Sequence, residues 1–287
     1  MSRRPVWLLA APVIFLILWS AGFSVAKIGL RHSGPFTLLA LRYLLAVAIL
    51  LPLLPLVRPP LPRGRAALDI AVTGFLIQVA YFGLCYIAFR SGVSAGGVAI
   101  IVCLQPILVG LIAPSFVGER VSLMRWLGLG LGLAGALTVI IARSGISAEP
   151  PLGLLAAVGG LLGITGGTLY EKRFGAPQHP IPANLIQYGV GALFTLPVAV
   201  LAEGLHADWT GELAAVLFYL VIGNSLVSMT LLLAMIRAGE VARVSSLFYL
   251  VPPLSALFAW PLLGEALPLA GWLGMALAAT GVALARR

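Results

Sequence analysis

Charged residues are scarce in this 287-residue sequence. Only 9% of the residues are Asp, Glu, Lys or Arg, whereas a typical soluble domain has about 25%. Apolar residues make up 61%, and the mean hydropathy is +1.08. A soluble enzyme, a disordered chain and a disulfide-rich secreted domain all fit this balance poorly. Repeated apolar runs of about 18 residues or more are typical of polytopic helical membrane proteins.

Cysteine and histidine are also rare. The 2 cysteines, Cys85 and Cys103, lie inside apolar runs without CxxC spacing, and the 3 histidines are far apart in the sequence. The GxSxG, HExxH, Walker and dinucleotide-binding motifs do not occur in a suitable context. The sequence therefore predicts no metal site, no cofactor and no catalytic residue.

Ten apolar segments separated by short polar breaks follow one another along the chain. Each is long enough to cross about 30 Å of hydrocarbon as an α-helix. The predicted fold is therefore an all-α polytopic membrane protein with ten transmembrane helices. The predicted spans are residues 6–29, 35–57, 66–90, 94–117, 122–143, 150–172, 181–203, 212–236, 242–263 and 267–285.

Basic residues outnumber acidic ones by 18 to 9, and they favour one side of the predicted membrane. With the amino terminus placed in the cytoplasm, 13 of the 18 basic residues fall on the cytoplasmic side. This positive-inside bias predicts a multi-pass plasma-membrane protein with both termini in the cytoplasm. We expect the excess charge to contact lipid headgroups and not nucleic acid. The sequence leaves the oligomeric state open, and a monomer is compatible with it.

The two halves of the sequence match each other. A shift of 145 residues places Lys27 on Lys172, and a shift of 146 places Glu119 on Glu265. Each half contains five spans, an odd number, so the second copy must begin on the opposite side of the membrane. We therefore predict two inverted five-helix repeats, residues 1–146 and 147–287. Such repeats are typical of carriers that expose one central site alternately to each side.

Short motifs occur in both halves of the sequence. They are Ala40-Leu-Arg42-Tyr43, Gln105-Pro106, Gly118-Glu119-Arg120 and the glycine-rich stretch from Trp126 to Gly135, followed in the second half by Val251-Pro252-Pro253, Gly264-Glu265 and the stretch from Trp272 to Gly281. With these motifs the chain resembles the drug/metabolite transporter superfamily, specifically its EamA-type exporters. Within that superfamily it is most similar to the YddG-type bacterial exporters of aromatic amino acids.

The resemblance implies a function in the bacterial inner membrane. It implies export of small amphipathic metabolites, aromatic and other amino acids first among them, by alternating access without ATP, cofactor or covalent chemistry. One departure from the repeat is that Gln187 occupies the place corresponding to Arg42. The basic residue is therefore present in one copy only.

Polar residues in the middle of a span cost free energy in lipid, so they are expected to face the interior of the bundle. Gln78 and Asn224, in spans three and eight, match by a shift of 146. Aromatic and hydroxyl side chains accompany them at helical spacing and predict a pocket for an amphipathic small molecule, although mid-span amides also join helices by hydrogen bonds. The predicted substrate-binding residues are Trp19, Ser20, Phe23, Gln78, Tyr81, Phe82, Gln105, Thr165, Asn224, Ser228, Phe248 and Tyr249.

Arg42 and three prolines have predicted roles beside this pocket. Arg42 lies about 10 Å below the outer interface at 1.5 Å per residue. It would either contact a substrate carboxylate or join helices through polar groups, and the structural role is the one the sequence favours. Pro106, Pro252 and Pro253 are predicted to kink spans four and nine and to bend as the two mouths open and close.

Two other functions stay open at the level of sequence. One is a broad-specificity drug or metabolite exporter. The other is an integral membrane enzyme acting on lipid, which would need clustered His, Asp or Glu residues near an interface. The absence of an acidic residue at mid-membrane favours facilitated movement over proton-coupled transport, because proton-coupled carriers commonly place an acid there.

Overall fold

The computed structural model describes residues 7–91, 93, 98, 101–144, 150–239, 241–263 and 268–285. These residues are mainly helical, and they contain no strand beyond an isolated bridge between Ser33 and Ala207. The all-helical prediction is therefore confirmed. The helices that they form are α1 (Trp7–Gly29), α2 (Pro35–Leu50), α3 (Arg65–Arg90), α4 (Gln105–Phe116), α5 (Leu123–Ser144), α6 (Pro151–Phe174), α7 (Pro180–Glu203), α8 (Gly211–Ala238), α9 (241–263) and α10 (Leu269–Ala285).

Five of these elements are long and apolar enough to cross a membrane by length and composition. They are Pro35–Val57, where a short helical turn extends α2, together with α3, α6, α7 and α8. Shorter apolar helical stretches lie in α1, α4, α5, α9 and α10. Most of these helices begin and end within a few residues of the predicted spans. Helix α4 begins at Gln105, whereas the predicted fourth span begins at residue 94, and residues 94–97, 99 and 100 lie outside the described part of the structure. The count of ten membrane crossings stays a prediction.

Local sequence sets several helix boundaries. Pro35, Pro151 and Pro180 lie in the first turns of α2, α6 and α7, where proline's missing N–H group is not needed. The Thr210 side chain caps α8 by accepting a hydrogen bond from Leu213 N at 3.1 Å. These boundaries follow from residues within one turn of each helix end.

Two helices of the first half pack most extensively on their own counterparts in the second half: α5 on α10, and α2 on α7. The start of α2 meets the end of α7, because Glu203 accepts hydrogen bonds from Phe36 N (3.1 Å) and Thr37 N (2.7 Å). Further along, the rings of Tyr43 and Tyr188 stack with their centroids 5.8 Å apart. Helices α2 and α7 are therefore antiparallel, as an inverted repeat requires.

Backbone approaches backbone where α5 meets α10. A Cβ atom on Gly128 would collide with the backbone of Gly281 and Ala285, and one on Gly135 would collide with Gly274 and Ala278. Early residues of α5 thus lie beside late residues of α10, so this pair is antiparallel too. Small residues permit this close approach of helices in membrane proteins.

The remaining helices interlock the two halves. Helix α1 packs on α8 and α9, and its counterpart α6 packs on α3 and α4. Each half therefore contributes its first helix to the other half. The predicted boundary between the copies, at residues 146 and 147, lies outside the described residues.

The α5–α10 contact predicts a sharp difference between two glycines of α5. We expect Gly128→Leu to lower the free energy of unfolding by at least about 2 kcal/mol, since overpacking against atoms that can move already costs about 1–3 kcal/mol. Gly130 is the matched control, because a Cβ there has open space within 4 Å. Thermal melting of the purified variants in detergent measures both, and equal melting temperatures would contradict the contact.

Candidate substrate site at the junction of the two repeats

The helices around the centre of the molecule are irregular. Helix α3 contains a π-helical segment, Phe75–Tyr81, and α8 contains one at the matching place, Tyr219–Ser228. Helix α9 contains a 3₁₀ segment, Ser246–Leu250. Helix α4 begins at Gln105, directly after a turn. Departures from α-helical geometry of this kind are frequent at functional sites.

Each π segment receives a hydrogen bond from a buried tyrosine. The Tyr43 hydroxyl donates to the carbonyl oxygen of Gln78 at 2.9 Å. The Tyr188 hydroxyl donates to the carbonyl oxygen of Ser225. Because the two tyrosines are sequence counterparts and their rings stack, the pseudo-two-fold axis passes between them.

These contacts correct the sequence match between the two π segments. Gln78 corresponds to Ser225 and Ile77 to Asn224, a shift of 147 residues. Ile77 and Asn224 each lie against a glycine at the same place in the first helix of the opposite copy. The glycines are Gly167 in α6 and Gly22 in α1. The predicted pairing of Gln78 with Asn224 is therefore wrong by one residue, because the tyrosine hydrogen bonds and the facing glycines relate the two π segments by 147 residues and not by 146.

Aromatic rings from three helices meet beside these segments. The Trp19 ring lies 5.9 Å from that of Phe82 and 5.8 Å from that of Phe248, between centroids. Tyr81 lies 4.7 Å from Phe82. Helices α1, α3 and α9, and thus both repeats, contribute to this aromatic cluster. Its members were all predicted as site residues, and the structure brings them into direct contact.

Arg42 lies against the aromatic cluster and is only 2% exposed. Its Nε donates to Ser225 Oγ at 2.6 Å, and its Nη2 donates to Asn224 Oδ1 at 3.3 Å. The guanidinium carbon lies 4.8 Å from the centroid of the Phe82 ring, a cation–π distance. Arg42 of the first copy is thereby held by α8 of the second.

Gln105 joins three helices on another side of the centre. Its Nε2 donates to Thr168 Oγ1 at 3.5 Å and to Ser245 Oγ at 3.4 Å, so that α4 contacts both α6 and α9. The side chain is fully buried. Its Oε1 has no hydrogen-bond partner among the described residues.

Several other predicted site residues have buried polar atoms without a partner. Such a group costs about 1–3 kcal/mol when nothing satisfies it, and native proteins contain few. Among the described residues, the predicted ones with such atoms are Trp19 (Nε1), Ser20 (Oγ), Gln78 (Oε1 and Nε2), Gln105 (Oε1), Ser228 (Oγ) and Tyr249 (Oη). Gln178 and Gln187 were not predicted and each have an unpartnered Oε1. The concentration of such atoms in the central helices is what a polar ligand or bound water would satisfy.

Other predicted residues contribute differently. The Thr165 hydroxyl donates to Leu161 O in its own helix, at 2.7 Å. Gln78 packs against Gly191 of α7, and Tyr249 packs against Gly132 of α5. The side chain of Phe23 lies outside the described part of the structure.

The three predicted kink prolines lie at breaks between helical segments. Pro106 is in the first turn of α4, and Pro252 and Pro253 are in the first turn of the α-helical part of α9, which starts at Val251 after the 3₁₀ segment. At Pro106 a helix starts after a turn, a position that proline fits. At Pro252 and Pro253 the predicted kink coincides with a change from 3₁₀ to α-helical geometry inside α9.

One residue of the site escaped prediction. Ser225 holds Arg42 in place, and the available signal for it was a hydroxyl residue next to a mid-span amide. Thr168 and Ser245, which hold Gln105, are indicated by the sequence, because they lie at helical spacing from the predicted Thr165 and Phe248.

Charged side chains join helices at one end of the bundle. Lys172 Nζ lies 3.3 Å from Glu119 Oε1 and donates to Gly239 O, while Val241 N donates to Glu119 Oε2 at 2.8 Å. Beside them, Arg237 Nη1 lies 3.1 Å from Glu171 Oε1. We call Glu119, Glu171, Lys172 and Arg237 the ion-pair network. It connects α6 with α8 and with the chain next to α4 and α9.

The opposite end has a different arrangement. Arg90 of α3 lies 3.2 Å from Glu203 of α7. A cavity of about 230 Å³ opens beside them, lined by Leu30, Pro35, Tyr86, Phe89 and Arg90. This end therefore has a cleft next to the ends of α1 and α3.

The model of the EamA-like transporter family matches two stretches of the sequence, residues 6–141 and 151–287. The chain belongs to the EamA-like transporter family. Because both halves match, the EamA domain is present twice, in agreement with the antiparallel pairing of α2 with α7 and of α5 with α10.

Curated relatives of this EamA chain are bacterial. It is 27% identical to the uncharacterized transporter YvbV of Bacillus subtilis, over 99% of this chain and 93% of the relative. It is 25% identical to the uncharacterized inner membrane transporter YedA of Escherichia coli K12, over 98% and 91%. A probable amino-acid metabolite efflux pump of Salmonella typhimurium is 26% identical, over 93% and 89%.

The fold itself has a solved counterpart. A crystal structure superposes on this chain with a TM-score of 0.84 and 22% sequence identity, covering 98% of this chain and 97% of the other. Identity this low supports the shared fold alone. The EamA chain is thus a multi-pass membrane transporter by family, with helices arranged as in a known structure.

The tyrosine contacts predict that three Tyr→Phe variants of the protein differ in stability. Tyr43→Phe and Tyr188→Phe should each lower the free energy of unfolding by about 0.5–1.5 kcal/mol, the net value of a hydrogen bond. Tyr249→Phe is the control, because its buried hydroxyl has no partner among the described residues, and it should cause no loss. Denaturation in detergent measures the three variants. A loss confined to Tyr249→Phe would contradict the assignment.

Proposed function

We propose that this transporter exports small amphipathic metabolites, with aromatic and other amino acids as its leading substrates, by alternating access. The observation that carries the proposal is the site at the repeat junction. Aromatic rings, a buried guanidinium and polar atoms without partners converge there from both copies. This mixture suits a ligand with an apolar body and a polar head.

The relatives support the direction and class of transport. The Salmonella typhimurium relative carries the name of an amino-acid metabolite efflux pump. We extend this to the present chain because the aromatic cluster of Trp19, Phe82 and Phe248 offers faces and edges to a further ring. YddG-type specificity for aromatic amino acids is the narrower form of the proposal.

The rings of the aromatic cluster contact one another, so a substrate ring must separate them in order to bind. Ring pairs of this kind contribute about 0.5–1.5 kcal/mol beyond their buried area. A bound aromatic ring replaces those contacts with equivalent ones, whereas a small polar solute does not. This exchange favours aromatic and large apolar side chains.

We place the protein in the bacterial inner membrane with both termini in the cytoplasm. The ion-pair network, with its own Lys172 and Arg237, lies at the end where Arg65 and Arg173 also lie, and the positive-inside rule assigns that end to the cytoplasm. A relative that is named an inner membrane transporter supports the location. The cavity beside Arg90 then opens towards the outside.

In the alternating-access cycle that we propose, the ion-pair network closes the cytoplasmic mouth. The network holds α6 against α8 and α9 of its own copy. It also holds α6 against the chain that follows α4 in the other copy. Opening that mouth requires these contacts to break. The helix breaks at Pro106 and at Pro252 and Pro253 are the hinges, since a discontinuous helix can change angle without disrupting a continuous hydrogen-bond ladder.

Flux into sealed vesicles tests the function. Purified protein in proteoliposomes is given labelled phenylalanine, tryptophan, leucine and a nucleoside, and uptake is measured against concentration and competition. Saturable uptake of the aromatic amino acids, and none driven by a pH gradient alone, is the expected result. Equal uptake of all four compounds favours a broad-specificity exporter, and no saturable uptake overturns the proposal.

Gln105 gives a prediction in the same assay. Gln105→Leu should raise the KM for the transported amino acid about 10-fold or more, the effect of losing one hydrogen bond of about 1.5 kcal/mol. Gln187→Leu is the matched control, another buried amide with an unpartnered Oε1, but one that packs against Gly74 in α3. Its KM should stay within about twofold of wild type. Parallel changes in the two variants would show that Gln105 has no special part in transport.

The ion-pair network gives a second prediction. Cys103 is buried in the same core cluster as Trp19 and Phe248, so in a Cys85→Ala background it reports access to the centre from the cytoplasmic side. Glu119→Gln should speed maleimide labelling of Cys103 in inside-out vesicles about fivefold, since losing about 1 kcal/mol shifts a two-state population by that factor.

The control for this charge removal is Arg65→Gln. Arg65 pairs with Asp69 inside α3, at 3.0 Å and at the same end of the bundle, so its loss should leave the labelling rate unchanged. A labelling rate in Glu119→Gln equal to that of the control would show that the network does not close the mouth.

A further inference from the structure

We propose that Arg42 binds the carboxylate of the transported molecule and thereby restricts the substrates to carboxylate-bearing metabolites. This inference rests on the proposed function and narrows it. It assigns to Arg42 a binding role in place of the purely structural one that the sequence favours.

The first argument is the charge balance around Arg42. Its two hydrogen-bond partners, Ser225 and Asn224, are neutral. The acidic residues that the structure describes all have a basic residue beside them elsewhere in the molecule. Asp69 pairs with Arg65, Glu119 with Lys172, Glu171 with Arg237 and Glu203 with Arg90, while Asp208 and Glu212 lie beside the histidines His206 and His32. Within the described ranges, Arg42 is thus a buried cation without a counter-ion.

The second argument is energetic. A buried charge costs several kcal/mol unless it is paired, and hydrogen bonds to neutral groups compensate only in part. A carboxylate supplies both the opposite charge and two acceptor oxygens that match the guanidinium. Binding a carboxylate here therefore relieves a cost that the protein otherwise bears.

The third argument is the comparison between the two copies. The position that corresponds to Arg42 holds Gln187, which is also buried and packs against Gly74 of α3. The fold therefore accommodates a neutral residue at this place in one copy. The positive charge in the other copy needs a separate explanation, and a ligand charge provides one.

The fourth argument is orientation. Arginine has five N–H donors, and Arg42 uses Nε and one group on Nη2 for Ser225 and Asn224. These bonds fix the guanidinium over the Phe82 ring, 4.8 Å from its centroid. Phe82 in turn contacts Trp19. A carboxylate at the remaining donors would place the body of an amino acid beside the aromatic cluster.

The same charge disfavours cationic ligands. A cationic amine drug that enters the site would bring a like charge next to Arg42 in surroundings of low dielectric constant, where repulsion is strong. A zwitterionic amino acid or an organic acid meets no such penalty at its carboxylate. The substrate class is therefore that of carboxylates with an apolar or aromatic body.

The test compares phenylalanine with phenylalaninamide, in which a neutral amide replaces the carboxylate. Proteoliposomes containing wild-type protein should transport phenylalanine with a kcat/KM about 10- to 100-fold above that of the amide, the loss expected for hydrogen bonds to a charged group. In Arg42→Gln this ratio should fall to near one. In Arg42→Lys, which keeps the charge, the preference should persist with a raised KM.

Gln187→Leu is the matched control. It changes the buried counterpart of Arg42 in the other copy and leaves the guanidinium with both of its hydrogen bonds, so the preference for phenylalanine should survive even where stability falls. The preference ratio distinguishes the roles, because a merely structural arginine would change expression or melting temperature and leave the ratio intact.

The outcomes separate this inference from the proposed function. If wild-type protein transports phenylalanine and its amide equally well, or if Arg42→Gln keeps the wild-type preference, transport stands and the carboxylate role is overturned. Should Arg42→Gln fail to fold, the wild-type ratio and the Arg42→Lys variant still decide. An absence of saturable flux for both compounds in wild-type protein overturns both proposals.

Discussion

The pairing of helices with their own inverted counterparts is the constraint on which the rest of this structure depends. Helix α5 packs on α10 through backbone-to-backbone contacts at Gly128 and Gly135, and α2 packs on α7 through stacked tyrosines. In lipid there is no hydrophobic force between apolar helices, so close packing and internal hydrogen bonds must hold them. The two pairs fix the axis that relates the copies, and every element of the site is placed relative to that axis.

The site is formed by helices that these two pairs hold around the pseudo-two-fold axis. Because α1 crosses to the second copy and α6 to the first, residues of both copies surround one centre. The tyrosine hydroxyls that bind Gln78 O and Ser225 O stabilise π segments, and those segments reposition the side chains that face α1 and α6. Irregular backbone is thus supported by regular, symmetric neighbours, which is how a rigid frame can hold a site made of discontinuous helices.

The residues that differ between the two copies provide the chemistry for binding a ligand. Equivalent tyrosines, glycines and helix breaks occur in both copies and hold the fold. Arg42 faces Asn224 and Ser225, whereas the matching place in the other copy has a glutamine and Ile77 occupies the place of Asn224. A site made of two equivalent halves would not distinguish the two ends of a ligand. One guanidinium beside one aromatic cluster instead distinguishes the two ends of an amphipathic molecule.

The sequence by itself determined the helical fold, the duplication and most of the residues that meet at the centre. Hydropathy and proline positions depend on neighbours within a turn or a span, so they predict helices closely, and polar residues at mid-span must face inwards in lipid. Tertiary structure alone decided which of these residues touch. The one-residue change of register in the π segments, the hydrogen bonds of Ser225 to Arg42 and of Ser245 to Gln105, and the direct contact of the aromatic rings depend on partners about 35 to 230 residues away. No local pattern encodes such distances, because the pairing of distant helices sets them.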